Sequence, residues 1–187
     1  MAVTVLWVIP SSAPDESGGV ISLPWRATKT FSPVHSEMNP CGLSMIASSL
    51  AKVEALKAGY DEAIMLSPQG YVSECTGENI FLVKHGRIVT PPVSAGALEG
   101  ITQDSVRRIA EDLGIPYEVG NILRSDLYTA DEAFLSGTAA EVVPVRSVDD
   151  REIGEPGPIT RRIQETYFAA VKGQDDRYKD WLTYVND

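Results

Sequence analysis

From residue 43 onward the chain sorts its apolar and polar positions into short periodic blocks. Leu43, Ile46, Leu50 and Val53 recur at helical spacing, and Ala58-Gly59 closes that block, which predicts a helix ended by a glycine. The apolar run 63–66 predicts a strand, with a tight turn at Ser67-Pro68-Gln69-Gly70. Residues 80–84 and 87–90 flank His85-Gly86 and read as a hairpin stopped by Pro91-Pro92. A second helix is expected over 102–113, with Val106, Ile109, Ala110 and Leu113 on one face and Gly114 at its end. Strands follow at 117–119, 133–135 and 142–148, the last turning at Asp149-Asp150, and Ser125 is placed to cap a brief helix between them. Pro158 suits the first turn of a last long helix carrying Ile159, Ile163, Tyr167 and Val171. The tail is polar but keeps Trp181, Leu182 and Val185, so it is expected to dock.

The first forty residues read differently. Pro10, Pro14, Pro24, Pro33 and Pro40 are nearly half of the 12 prolines, and only 3–9 and 20–22 look like strands. The expected division is a divergent or poorly ordered N-terminal segment, 1–42, ahead of one domain, 43–187. Interleaved helices, strands and hairpins make that domain α/β with a mixed sheet.

Charge narrows the range of partners. A net charge of -10 argues against a nucleic-acid backbone or an anionic membrane surface. No apolar run approaches the roughly 20 residues of a membrane helix. The N-terminus has no basic region of the kind that opens a secretory signal, so a cytoplasmic location is expected. Cys41 and Cys75 form no CxxC pair and no metal-ligand cluster with His35 or His85, and read as reduced thiols.

Three segments could carry chemistry. Residues 70–81, Gly-Tyr-Val-Ser-Glu-Cys-Thr-Gly-Glu-Asn-Ile-Phe, place Glu74, Glu78 and Asn79 in a glycine-bearing loop between two strands, either a site or a solvated turn. Leu98-Glu99-Gly100-Ile101-Thr102 opens a helix, either as an anion site or as an ordinary cap by Thr102. Leu135-Ser136-Gly137-Thr138-Ala139-Ala140-Glu141 puts small residues after a strand, where backbone amides can approach an anion or where the chain merely turns tightly. There is no phosphate loop of the G-x-x-x-x-G-K-[ST] kind. Glu54 and Lys57 look like a solvated pair.

Together and in this order, the segments resemble the fold-type IV pyridoxal-phosphate enzymes, and most of all the bacterial branched-chain amino-acid aminotransferases. The run Ala55-Leu56-Lys57-Ala58-Gly59-Tyr60-Asp61-Glu62-Ala63, the segment from Ser73-Glu74 to Asn79-Ile80-Phe81, and Leu98-Glu99-Gly100-Ile101-Thr102 carry the likeness. So do the residues from Ala130 to Glu141, Pro144-Val145 and Gly157-Pro158-Ile159-Thr160. The resemblance implies the large cofactor domain of that fold, a strand-rich pseudo-barrel flanked by helices. It implies pyridoxal 5'-phosphate as cofactor, amino transfer between a branched-chain amino acid and 2-oxoglutarate, and a homodimer. D-amino-acid aminotransferases and aminodeoxychorismate lyases share the scaffold, although Ser136 to Glu141 and Pro144-Val145 fit the branched-chain group better.

Residue by residue, the resemblance places Glu74 opposite the pyridine nitrogen, where a carboxylate keeps that nitrogen protonated. Leu98, Gly100, Ile101 and Thr102 match the phosphate-cradling helix start, and Thr138 a second phosphate contact. Thr138 and Ala139 match the turn that receives the substrate carboxylate, with Glu78 and Asn79 in the supporting loop. One position departs. The lysine that binds the cofactor covalently should precede the first helix, and an ungapped count puts Pro40 there, with Ser44 and Met45 at the neighbouring Asn and Tyr positions. Lys29 and Lys52 are the nearest lysines, and neither fits the pattern. The family's N-terminal domain, with a phosphate-binding arginine, has no match in these residues. A degenerate relative, an unrelated start joined to an intact family sequence, and a non-catalytic binding or assembly module all fit this departure. Impaired catalysis by the chain alone is the expectation, since a lysine amine is needed both for the covalent bond and for moving the substrate proton.

Overall fold

The computed structural model describes residues 46–183 in full and the backbone of residues 2–3, 5–10, 34–35 and 42–45. The expected strand at 20–22 and the docking of Val185 lie outside the described residues. The elements run β1 (Ala2–Val3), β2 (Val5–Pro10), β3 (Val34–His35), α1 (Gly42–Ala58), β4 (Glu62–Leu66), β5 (Val72–Cys75), β6 (Asn79–Lys84) and β7 (Arg87–Thr90). They continue with α2 (Ile101–Asp112), β8 (Tyr117–Val119), α3 (Arg124–Leu127), β9 (Glu132–Gly137), β10 (Glu141–Val148), β11 (Arg151–Glu152) and α4 (Pro158–Val171), with short 3-10 turns at Val93–Ala95 and Asp176–Trp181. No described helix is long and apolar enough to cross a membrane.

Nine strands form one sheet in the order β5-β4-β2-β10-β9-β6-β7-β8, with β11 beside β10. Neighbours are antiparallel except β7 and β8, so the sheet is mixed. β10 serves both halves. Its first part pairs with β9, its second with β2, and the register shifts between Val145 and Ser147. That irregularity bends the strand. The halves curl until the amide of Val72 donates to Ile122 O at 2.8 Å and that of Cys75 to Glu78 O at 2.8 Å. The result is a strand-rich pseudo-barrel with helices outside, the architecture the resemblance implies.

Strand alternation assigns the two faces. Ile64, Leu66, Val72, Cys75, Ile80, Leu82, Ala133, Leu135, Val145 and Val148 fill the interior together with Ile122 and Leu127. Phe81, Phe134 and Val142 face outward, under Val106, Ile109 and Ala110 of α2 and Ile163, Tyr167 and Ala170 of α4. Phe81 and Phe134 stack at 4.8 Å between ring centres. The tail docks as expected, but its anchor is Tyr178, buried and hydrogen-bonded to Asp112 at 2.8 Å, with Trp181 leaning on its ring.

Four local expectations are corrected. The stripe Ile46, Leu50 and Val53 does not pack on the sheet: these side chains are 57%, 55% and 47% exposed. The opposite, small-residue face of α1, Ala47, Ala51, Ala55 and Ala58, lies on Ala63 and Met65, because alanines let helix and strand approach closely. Residues 72–75 are a strand rather than loop, so Glu74 sits on the sheet and only residues 76–78 turn. The brief helix is α3, its N-cap is Leu123 rather than Ser125, and the Asp126 carboxylate accepts from the Leu123 amide at 2.9 Å. Val171 also faces solvent, leaving Thr160, Ile163, Tyr167 and Ala170 as the packed face of α4.

The start of α4 is held from the sheet. Glu132 of β9 is buried and accepts from the amides of Ile159 at 3.2 Å and Thr160 at 2.7 Å, donors a helix start otherwise leaves unpaired. Gly157 is required for this approach, since a Cβ there would sit 2.2 Å from Glu132 Cδ. Glu132→Ala and Gly157→Ala should each lower the urea unfolding free energy by about 1–3 kcal/mol. In the Glu132→Ala background the glycine substitution should cost much less, because the clashing carboxyl is gone; additive losses would show that the two do not act through one contact.

Candidate active site

Pro91-Pro92 stop β7 and a turn over Val93–Ala95 leads the chain across the end of the barrel to α2. Residue 98 is held there on both sides of its backbone. The Glu74 carboxylate of β5 accepts from the Leu98 amide at 3.0 Å, and Asn79 of β6 donates its side-chain amide to Leu98 O at 2.7 Å. Two consecutive strands thereby fix the approach to α2. The helix starts at Gly100, the N-cap, which makes no side-chain cap bond. Thr102 is therefore the second helical residue rather than the cap. The first amides of such a helix have no acceptor within it and carry its positive dipole end. Asp104 in the same turn is engaged by Arg107 and Arg108 on the helix surface. Leu98 and Ile101 are 68% and 88% exposed, the reverse of core residues.

The turn between β9 and β10 comes to the same end. Asn79 pairs with Ser136 across β6 and β9, and the side chain of Glu78 lies against Gly137. A Cβ at position 137 would sit 3.0 Å from both Glu78 Cγ and Gly77 O, so only glycine lets the two turns close up. Thr138 and Ala139 follow, exposed at the tip. The fold thus gathers Glu74, Leu98, Gly100, Ile101 and Thr102 through Asn79, with Thr138 and Ala139 reached through the Asn79–Ser136 pairing. Ser136 Oγ is buried and has no hydrogen-bond partner among the described residues.

Burial pushes the Glu74 carboxyl above its ordinary range, and the Leu98 N–H only partly offsets this. A second acid cluster brings Glu78, which the sequence pointed to, together with Glu62 and Lys52, whose pairing sequence reasoning missed. Burial disfavours charge on Glu62, yet hydrogen bonds from Glu78, Lys52, Thr76 and the Ala63 amide hold its carboxyl below the ordinary range. Lys52 Nζ sits 2.5 Å from Glu62 and also donates to Asp61 O at 2.8 Å. Burial and the neighbouring Glu62 push Glu78 up to about 7. An acid opening the otherwise apolar strand Glu-Ala-Ile-Met-Leu was the one available signal. An open cavity of about 380 Å³ adjoins these groups, lined by Ser48, Ser49, Lys52, Glu62, Thr76, Gly77 and Glu78.

The amino-transferase class IV pattern matches residues 27–148. The chain belongs to the amino-transferase class IV family. A probable branched-chain-amino-acid aminotransferase of Aquifex aeolicus is 54% identical over 145 residues, covering 76% of this chain and 47% of that protein. The branched-chain-amino-acid aminotransferase of Escherichia coli K12 is 46% identical over 147 residues, covering 78% of this chain and 48% of that protein. Among solved structures, a bacterial branched-chain amino acid aminotransferase with pyridoxamine 5'-phosphate superposes with a TM-score of 0.73 at 50% identity, over 76% of this chain and 48% of that one. The branched-chain aminotransferase of Thermoproteus uzoniensis with norvaline superposes with a TM-score of 0.72 at 51% identity, over 74% of this chain and 46% of that one. This class IV chain spans about half the length of the curated relatives it matches.

The donor set suits a phosphorylated pyridine ring. A half-buried acid, an uncapped helix start and hydroxyls at 102 and 138 offer a partner for a protonated ring nitrogen and a cradle for a dianion. Pro40, at the position the resemblance gives to the covalent lysine, and Lys29 lie outside the described residues.

Gly137→Ala should destabilise the protein by about 1–3 kcal/mol, as overpacking against backbone does. Gly100→Ala should be nearly neutral, since the nearest atom to its Cβ is Asn79 Oδ1 at 3.9 Å. Thermal unfolding of both variants checks the contrast.

Proposed function

We propose that this chain is the cofactor-holding part of a branched-chain amino-acid aminotransferase, carried by residues 43–187. Its reaction would exchange an amino group between a branched-chain amino acid and 2-oxoglutarate, with pyridoxal 5'-phosphate as cofactor. The observation that carries this reading is the hydrogen bond from the Leu98 amide to Glu74, which ties an acid suited to a ring nitrogen to the start of an uncapped helix suited to a phosphate. When bound, the pyridoxal group supplies the electron sink for the substrate's α-carbon.

The chain's own residues divide the remaining work. Glu74 holds a proton at the pyridine nitrogen, and the positive ring restores the charge that burial disfavours on its carboxyl. The amides of Gly100, Ile101 and Thr102 at the start of α2 bind the phosphate along with the Thr102 and Thr138 hydroxyls, while the Leu98 amide stays on Glu74 and its exposed side chain borders the ring. Thr138 and Ala139 receive the substrate carboxylate. With proline at the position of the covalent lysine, the chain alone binds the cofactor non-covalently and turns substrate over poorly.

Pyridoxamine 5'-phosphate, which needs no lysine, is the ligand that tests this. Calorimetry should give saturable binding, weakened about tenfold by Glu74→Ala and again by Thr102→Val, each removing one charged or polar contact. No saturable binding would overturn the reading. Rapid exchange of amino groups between leucine and 2-oxoglutarate by the pure chain would overturn the impairment.

The stripe of Ile46, Leu50, Val53 and Leu56 on α1 supports assembly, most simply as a homodimer, and equally suits a binding or assembly module without turnover. Leu50→Glu together with Val53→Glu should shift sedimentation to the monomer without loss of helix, since neither side chain packs on the sheet. An unchanged sedimentation coefficient would remove α1 from the interface.

A further inference from the structure

The segment from Leu98 to Ile101 has no side-chain anchor of its own. Ala97 is 3% exposed and Gln103 7%, whereas Leu98, Glu99 and Ile101 between them face solvent. Placement of this stretch falls to hydrogen bonds, and the two that reach the sheet both meet residue 98. Its N–H donates to Glu74 of β5 at 3.0 Å, and its carbonyl accepts from Asn79 of β6 at 2.7 Å. These groups belong to successive planar peptides, so together they set the direction of the chain. The first bond of α2, from the Asp104 amide to Gly100 O at 3.0 Å, begins only two residues further on. Upstream, Gly96 is pressed against Ser73, where a Cβ would come within 2.7 Å of the hydroxyl, so β5 steers residues 96–98 from both ends.

We infer that residue 98 is a joint coupling Glu74 to the start of α2, and that Asn79 is the positioning residue that keeps this joint aligned. Asn79 acts through Leu98 O and not on the ligand. A hydrogen bond to a carboxylate strengthens when the acid is ionised. Whatever ionises Glu74 therefore tightens its hold on the Leu98 N–H and steadies the amides of Gly100, Ile101 and Thr102. The reverse follows of necessity, because a coupling between two sites is equal in both directions.

A protonated nitrogen ring at Glu74 and a phosphate at the start of α2 thus bind better together than apart, even with no covalent bond joining them. Direct attraction between the two charges works in the same sense, but it does not pass through Asn79, and this separates the two causes. The coupling rests on the function proposed above, whereas the alignment of residue 98 by Asn79 does not.

Two measurements on the full cofactor-free chain test this. The first is amide hydrogen exchange, which needs no ligand. Asn79→Ala should lower protection at Leu98 and Asp104 about tenfold, as loss of one hydrogen bond does, while the other amides of β6 keep theirs. Unchanged protection at both, or an equal loss throughout β6, would overturn the aligning role. The second is a resonance titration with unphosphorylated pyridoxamine, with and without inorganic phosphate. In the unsubstituted chain phosphate should raise the affinity for pyridoxamine about tenfold, and in Asn79→Ala most of that gain should vanish. An equal gain in both chains would overturn the coupling. Should Asn79→Ala not fold, Asn79→Asp takes its place, since it keeps the shape and puts an acceptor where the side-chain amide donates. If the exchange result holds while neither pyridoxamine nor phosphate binds, the proposed function falls with the coupling and the alignment of residue 98 by Asn79 stands.

Discussion

The carboxylate of Glu62 is where the helix outside the barrel, the strand beneath it and the turn at its rim are joined. It draws Lys52 of α1 and both donors of Thr76 onto one end of β4. Burying an anion is unfavourable unless its oxygens are filled, and here they are filled by groups from three elements. The turn so gripped leads directly into Asn79, whose amide fixes the backbone at Leu98 and whose strand pairs with Ser136. The three sequence segments with candidate chemistry meet at one rim through Asn79 and Glu74, and the buried charge of Glu62 holds the turn that joins their strands.

Much of the fold was legible because its periods are clean. α2 and α4 carry charged outer faces and apolar inner ones, and the strands of the second half sheet alternate between barrel interior and helix layer. α1 misled because apolar spacing was taken as the packed face, while the true contact uses alanines that a hydrophobicity pattern underweights. β5 misled because Val-Ser-Glu-Cys is short and half polar, a poor match to the apolar alternation by which a strand is read.

The candidate site was legible only as a resemblance. Spacing alone left Glu74 a possible turn acid and Thr102 a possible cap. Geometry separates these alternatives: Glu74 is on a strand with its carboxylate on a backbone amide, and Thr102 is inside the helix. Glu62 and Glu132 were given no role, since an acid at the start of an apolar strand says nothing of its partner until a helix start or a lysine is brought to it from elsewhere.

The placement of β2 has a consequence for how the chain reaches this state. The strand leaves the ribosome ahead of both its neighbours, and those neighbours, β4 and β10, are separated from each other by most of the domain. Until β10 is made, β2 can pair on one side only, and a hydrophobic ribbon with an open edge is a template for the wrong partner. Such distant pairing is slow to form. The synthesis of this protein therefore includes a waiting period, set by the translation time from β2 to β10, in which one edge of β2 stays open to pairing.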